Sequence, residues 1–167
     1  MTKKAVYTGS FNPITNGHMD IIIQALSFVE DLVIAVGCHS SKQKTFLSVQ
    51  NRLELIMRSI DYLIPDHRKR VSVISFEGLA VNLAKDVSAQ AIIRGLRDMT
   101  DFEYEMRMAS INRHLLPEIS TIVLFSGESF RYVSSTLVRH LISMGEDITS
   151  FTPYPVSAFL KDHYRKS

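Results

Sequence analysis

Five short apolar runs, set apart by longer amphipathic stretches, constrain this chain more than any other feature of it. Lys4–Thr8, Leu32–Gly37, Val71–Phe76, Ala91–Arg94 and Thr121–Phe125 are β-rich and mostly apolar, as strands covered on both faces of a parallel sheet must be. The intervening spacing predicts helices over His18–Phe28, Val49–Ile60, Leu79–Val87, Phe102–Leu116, Ser135–Ser143 and Val156–Tyr164. In the first of these, Met19, Ile22, Ile23 and Leu26 keep the i, i+3, i+4, i+7 rhythm of one buried face. Ser48 and Ser134 stand where caps are needed, and Gly145 where a helix would end. Strands alternating with helices imply an α/β protein with an open, mostly parallel five-stranded sheet and helices on both faces. No repeat, low-complexity tract or Gly/Ser linker marks a boundary, so residues 1–167 read as a single domain.

Composition then removes several classes of function. Apolar residues at 46% and charged residues at 22% are ordinary for a globular protein. A net charge of +2 is too small to suggest a nucleic-acid binder. The single Cys38 excludes an intrachain disulfide and a cysteine-built zinc cluster, and suits a reducing compartment. The amino-terminal MTKKAVYTGSFNP has two lysines but no long apolar region behind them, unlike a signal peptide. No run approaches the ~20 apolar residues that would span a bilayer. The expectation is a cytoplasmic protein without a membrane or nucleic-acid partner.

In open parallel sheets ligands bind beyond the carboxyl ends of the strands, so the loops after the strands deserve the closest reading. The first is TGSFNPITNGH. Gly9 permits a sharp bend or a close approach, Asn12-Pro13 favours a turn, and Asn16-Gly17 allows positive φ before the helix. His18 then falls in the first helical turn, where free N–H groups favour an anion. The loop GCHSSKQKTF offers Lys42 and Lys44, which by themselves suit a solvated surface equally well. In IIRGLRDMTDFEYE, Arg94 and Arg97 flank Gly95, read here as a turn. Forked donors there can hold oxyanions or pair with Asp98, Asp101, Glu103 or Glu105. The last loop brings Ser134, Ser135 and Thr136 to a helix start, with Arg139 one turn on and able to face the same ligand. FEGLAVNLAKD reads as strand, turn and helix with no demand for chemistry.

Together TGSFNPITNGH, RGLR, DFEYEM…NRHL and VSSTLVR, in this order from about Lys4 to about Leu160, resemble the bacterial phosphopantetheine adenylyltransferases. These are nucleotidyltransferases with a Rossmann-like fold and (H/T)xGH and ISSTxxR-type signatures. The resemblance implies transfer of AMP from ATP to 4′-phosphopantetheine with Mg²⁺, giving dephospho-coenzyme A and pyrophosphate. Under it His18, Lys42 and Arg97 are catalytic. Ser10, Phe11, His18, Gly95, Leu96, Arg97 and Glu105 touch ATP, as do Phe130, Arg131, Tyr132, Val133, Ser134, Ser135 and Thr136. Ser10, Lys42, Arg94 and the backbone at Ala80 hold phosphopantetheine. The metal is expected on substrate phosphates and water, since few carboxylates fall in these loops. Ser10 replaces the family's usual Thr and keeps its hydroxyl; Asn12 stands where Asp is common, and Phe130 where others carry Trp. A homohexamer built from two trimers is implied, with the Met-rich helix after Asp101 as a contact face. The rivals are a related transferase using another phosphate acceptor, such as a nicotinate nucleotide or glycerol phosphate, and a nucleotide-binding module without catalysis. In-line attack needs no covalent nucleophile, and no Ser–His–acid set is apparent.

Overall fold

The computed structural model describes residues 2–38 and 45–164. The elements follow in chain order as β1 (Thr2–Gly9), α1 (Asn16–Leu26), β2 (Val29–Gly37), α2 (Val49–Leu63), β3 (Val71–Phe76), α3 (Ala80–Asp86), β4 (Ala91–Leu96), α4 (Met99–Leu115), β5 (Ser120–Phe125), α5 (Ser135–Ser143) and α6 (Tyr154–Tyr164). Short 3₁₀ turns at Pro65–Arg70 and Glu128–Phe130 lead into β3 and toward α5. The five strands form one sheet in the order β3-β2-β1-β4-β5, and every pairing is parallel.

That order positions the site. From β1 the chain winds outward through β2 to β3, then returns to β4 on the other side of β1 and winds outward again. The loops after β1 and β4 therefore diverge and leave a crevice above the carboxyl ends of the two adjacent central strands. Alternation along the strands sorts the two faces. Ala5, Tyr7, Leu32, Ile34, Ala91 and Ile93 join the larger core, which also takes in α1, α2, α5 and α6. Val6, Val33 and Ile92 face the smaller one, completed by Val81 and Ala84 of α3 and by Ile119. A strand residue thus has its side fixed by parity.

Helix ends depart from the expected ones where side chains take over. The Thr15 cap starts α1 at Asn16, two residues early. Asp98 Oδ1 accepts from the N–H groups of Thr100 and Asp101 at 2.9 and 3.0 Å, so α4 begins at Met99 rather than Phe102. Ser48 and Ser134 cap α2 and α5 as anticipated, and Gly145 takes φ +84° just beyond α5. Gly95 is not a turn. It lies inside β4, paired with Leu124 of β5. A Cβ there would meet Ile21 Cγ1 at 2.9 Å, so this glycine lets α1 press against the sheet.

Candidate active site

The β1–α1 turn is held from below. Phe11, not Asn16 or Gly17, takes positive φ, at 44°. Its ring is fully buried, edge-on to Tyr7 with centroids 5.3 Å apart and 5.0 Å from the His18 ring. The expected ATP contact at Phe11 is therefore not one of its side chain, which serves as the anchor of the turn. A Cβ on Gly9 would lie 3.0 Å from Phe11 Cζ, so the glycine makes room for that anchor. Asn12 Oδ1 accepts from the Leu47 N–H at 2.9 Å, a bond in which Asn serves as well as the family's Asp.

His18 is the third helical residue and closes a capping box with Thr15. Its Nδ1 accepts from the Thr15 backbone N–H at 3.1 Å and from the Thr15 hydroxyl at 2.8 Å. With Nδ1 so occupied, the proton of the neutral ring belongs on Nε2. Burial, then the charges of Arg97 and Arg94, push the imidazole down from 6.5 to about 4. At neutral pH His18 is thus an uncharged donor, and any positive charge in the site comes from other groups.

A cavity of about 350 Å³ opens above this turn. Gly9, Ser10, Thr15, Gly17 and His18 form one wall, Arg94, Gly95, Arg97 and Asp101 the opposite one, and Val133, Ser134, Ser135 and Thr136 an end. Arg94 leaves β4 on the α4 side, where Nε and Nη2 donate to Glu105, the Nε bond being 2.7 Å. Its Nη1 donates to the Thr8 carbonyl at 2.7 Å and hydroxyl at 2.9 Å. Arg97 forks onto Asp101, with Nε and Nη2 bonds of 2.9 and 3.0 Å. Both arginines therefore line the cavity and also make the carboxylate pairs that the sequence left open. Glu105, expected at the nucleotide, does line the cavity and is also buried against Arg94, whose guanidinium it supports.

The α5 wall is likewise latched to the turn. The Ser135 hydroxyl donates to the Pro13 carbonyl at 2.7 Å. Arg139 Nη1 donates to the Asn12 carbonyl at 2.7 Å and Nη2 to Thr136 Oγ1 at 3.0 Å. Arg139 thus staples α5 to the β1–α1 turn instead of lining the cavity beside Ser135. Phe130, Arg131 and Tyr132 lie outside the cavity wall, Tyr132 being 82% exposed. Leu96 is buried and also off the wall. Ala80 opens α3 and packs against the smaller core, away from the cavity. Lys42 lies outside the described residues.

Sequence reasoning missed Tyr7, Thr8, Thr15, Gly17, Ile21, Asp101, Tyr104 and Ser126 as wall residues. Only Thr15 carried a signal, because Thr three residues before a helical polar side chain is the spacing of a capping box. The others depend on strand parity and on how closely α1 approaches β4.

Comparison with known proteins sharpens this picture. Residues 6–141 match the cytidylyltransferase-like family model. The chain is 42% identical over 161 residues to a phosphopantetheine adenylyltransferase of Allorhizobium ampelinum, covering 96% of this chain and 98% of that protein. The chain belongs to the phosphopantetheine adenylyltransferase family. A second member, from Rhizobium meliloti, is 41% identical over 94% of this chain and 96% of its own length. The fold of this family member is shared more widely. A solved structure from Vibrio parahaemolyticus, assigned as a nicotinate-nucleotide adenylyltransferase, superposes with TM-score 0.73 over 100% of this chain and 98% of its own, at 18% identity.

Proposed function

We propose that this protein transfers the adenylyl group of ATP to 4′-phosphopantetheine, releasing pyrophosphate and forming dephospho-coenzyme A. The observation that carries the reading is the meeting of a neutral imidazole donor, two guanidinium groups and the amino-terminal ends of α1 and α5 around one cavity at the sheet's reversal point. Such an arrangement serves a reaction that asks for alignment and stabilisation of phosphate charge. An oxygen of the phosphopantetheine phosphate attacks the α-phosphorus in line. The new P–O bond forms as the bond to pyrophosphate breaks, and the electron pair leaves with pyrophosphate. His18 Nε2–H donates to an α-phosphate oxygen, Arg97 and Lys42 supply positive charge, Ser10 touches both substrates, and Arg94 holds the acceptor phosphate. Val133 to Thr136 receive the nucleotide phosphates at the start of α5.

Among the described residues no group of three or more His, Cys, Asp or Glu could hold a metal, and Asp101 and Glu105 are engaged by arginines. The described donor set does not make a Mg²⁺ cage. The metal fits the reaction as part of the substrate, carried on ATP phosphates and water.

The test is pyrophosphate release with ATP, Mg²⁺ and phosphopantetheine, omitting each in turn. Release with a nicotinate nucleotide or glycerol phosphate instead would move the protein to a related transferase; ATP binding without release from any acceptor would make it a binding module. We also propose a homohexamer of two trimers. The exposed Met99, Phe102, Met106, Ile111 and Leu115 along α4 support an apolar contact there, and light scattering checks it. Among the described residues no helix is long and apolar enough to cross a membrane.

A further inference from the structure

We infer that the Tyr7 hydroxyl donates a hydrogen bond to a phosphate oxygen of the bound substrate, as a further donor of the site. The inference rests on the adenylyl-transfer reading and adds to it. Tyr7 sits on central strand β1, and parity sends its side chain to the α1 side, beneath His18. The residue is only 5% exposed, yet it lines the cavity. Among the described residues its hydroxyl has no hydrogen-bond partner, and the oxygen is not fully enclosed by protein, so its free donor opens into the cavity. Two neighbours fix where it sits. The Tyr7 ring lies 6.5 Å from the His18 ring. Its oxygen lies 3.7 Å from where a Cβ on Gly95 would stand, at the strand position between Arg94 and Leu96.

The hydroxyl therefore occupies the cavity floor between the imidazole wall and the arginine wall. Phe at this position would fill the same space and pack on Phe11 equally well, so packing alone does not account for the oxygen. Burial, outweighing the opposing pull of Arg94 and Arg97, raises the phenol well above its ordinary range. It stays protonated at any working pH, which suits a donor to an anion and not a base.

Tyr7→Phe deletes only the oxygen. Steady-state kinetics with ATP, Mg²⁺ and phosphopantetheine should show kcat, or KM for one substrate, worse by at least about tenfold. The melting temperature should stay within about a degree or two of the parent's, because no internal hydrogen bond is lost. Parental kcat and KM for both substrates would overturn the inference, whatever the melting temperature did. A parent protein that releases no pyrophosphate would instead defeat the adenylyl-transfer reading, so the two failures are separable.

Discussion

The β1–α1 turn and the β4–α4 segment face each other across one cavity and are built on opposite principles. In the turn, polar atoms are fixed by uncharged partners. Thr15 holds His18, the Leu47 N–H holds Asn12, and the Asn16 N–H donates to the Phe151 carbonyl at 2.9 Å. Where a cation intervenes, it binds carbonyls: Arg52 Nη1 donates to those of Ser10 and Gly37, at 3.0 and 3.3 Å. Across the cavity, two guanidiniums are held by carboxylates. The turn keeps a donor aimed at all times. The arginine segment stores charge that a substrate can recruit, since an ion pair with an open side can exchange one anion for another. The two arginines differ as well. The Arg94–Glu105 side chains are 24% and 8% exposed, the Arg97–Asp101 pair 36% and 23%. Arg97 is the looser of the two and the readier to meet a mobile phosphate.

Four experiments would break or sharpen this contrast. The largest effect is expected from His18→Ala, which should lower kcat by about 10²–10³-fold while costing about 1 kcal/mol of stability for the lost cap. Near-parental turnover in a folded variant would take His18 out of the chemistry. Next, Arg94→Ala strands Glu105, and urea unfolding should show a loss of about 3 kcal/mol. The double variant Arg94→Met/Glu105→Leu should recover most of that loss but not the KM for phosphopantetheine. Recovery of both would leave Arg94 a purely structural residue.

The third experiment uses pH. His18 titrates near 4 in the folded chain against 6.5 unfolded, so between those values the unfolded state binds more protons. Stability contributed by the neutral ring is complete above about 6.5 and is lost as pH falls toward 4. Urea midpoints at pH 7, 5.5 and 4.5 should drop less steeply in His18→Asn than in the parent; equal slopes would reject the buried neutral imidazole. The smallest effect belongs to Asp101→Asn. Its pair is partly exposed, at 36% and 23%, so stability should change by less than about 1 kcal/mol. Freeing Arg97 should still lower the KM for ATP modestly, and a raised KM would show that Asp101 positions Arg97 for the nucleotide instead of restraining it.

Much of the fold was legible because its signals are local. All five strands, the caps at Ser48 and Ser134 and the Gly145 terminus emerged where periodicity and turn chemistry put them. Gly95 was misread because a glycine between two arginines carries the same local sign whether it turns the chain or admits a neighbouring helix; only the approach of Ile21 distinguishes the two. The expected contacts at Phe11 and Leu96 drew on motif position, which does not reveal whether a side chain or only a backbone faces the ligand. Arg139 came out as a support, and Glu105 as a cavity residue that also supports Arg94, since a charged group in a loop motif looks the same from sequence whether it meets substrate, its own chain or both.

By itself, then, the amino-acid order determined the alternation of strands and helices, the parallel sheet, and the loops in which His18, Arg94 and Arg97 would sit. Those follow from side-chain period and capping, which act within a few residues. The tertiary structure alone decided the strand order that opens the crevice, the bonds of Arg94 to Thr8, the latch of Arg139 onto the Asn12 carbonyl and the descent of Tyr7 to the cavity floor. Each of these depends on which distant residue arrives within about 3 Å, a quantity set by packing and invisible to any local pattern.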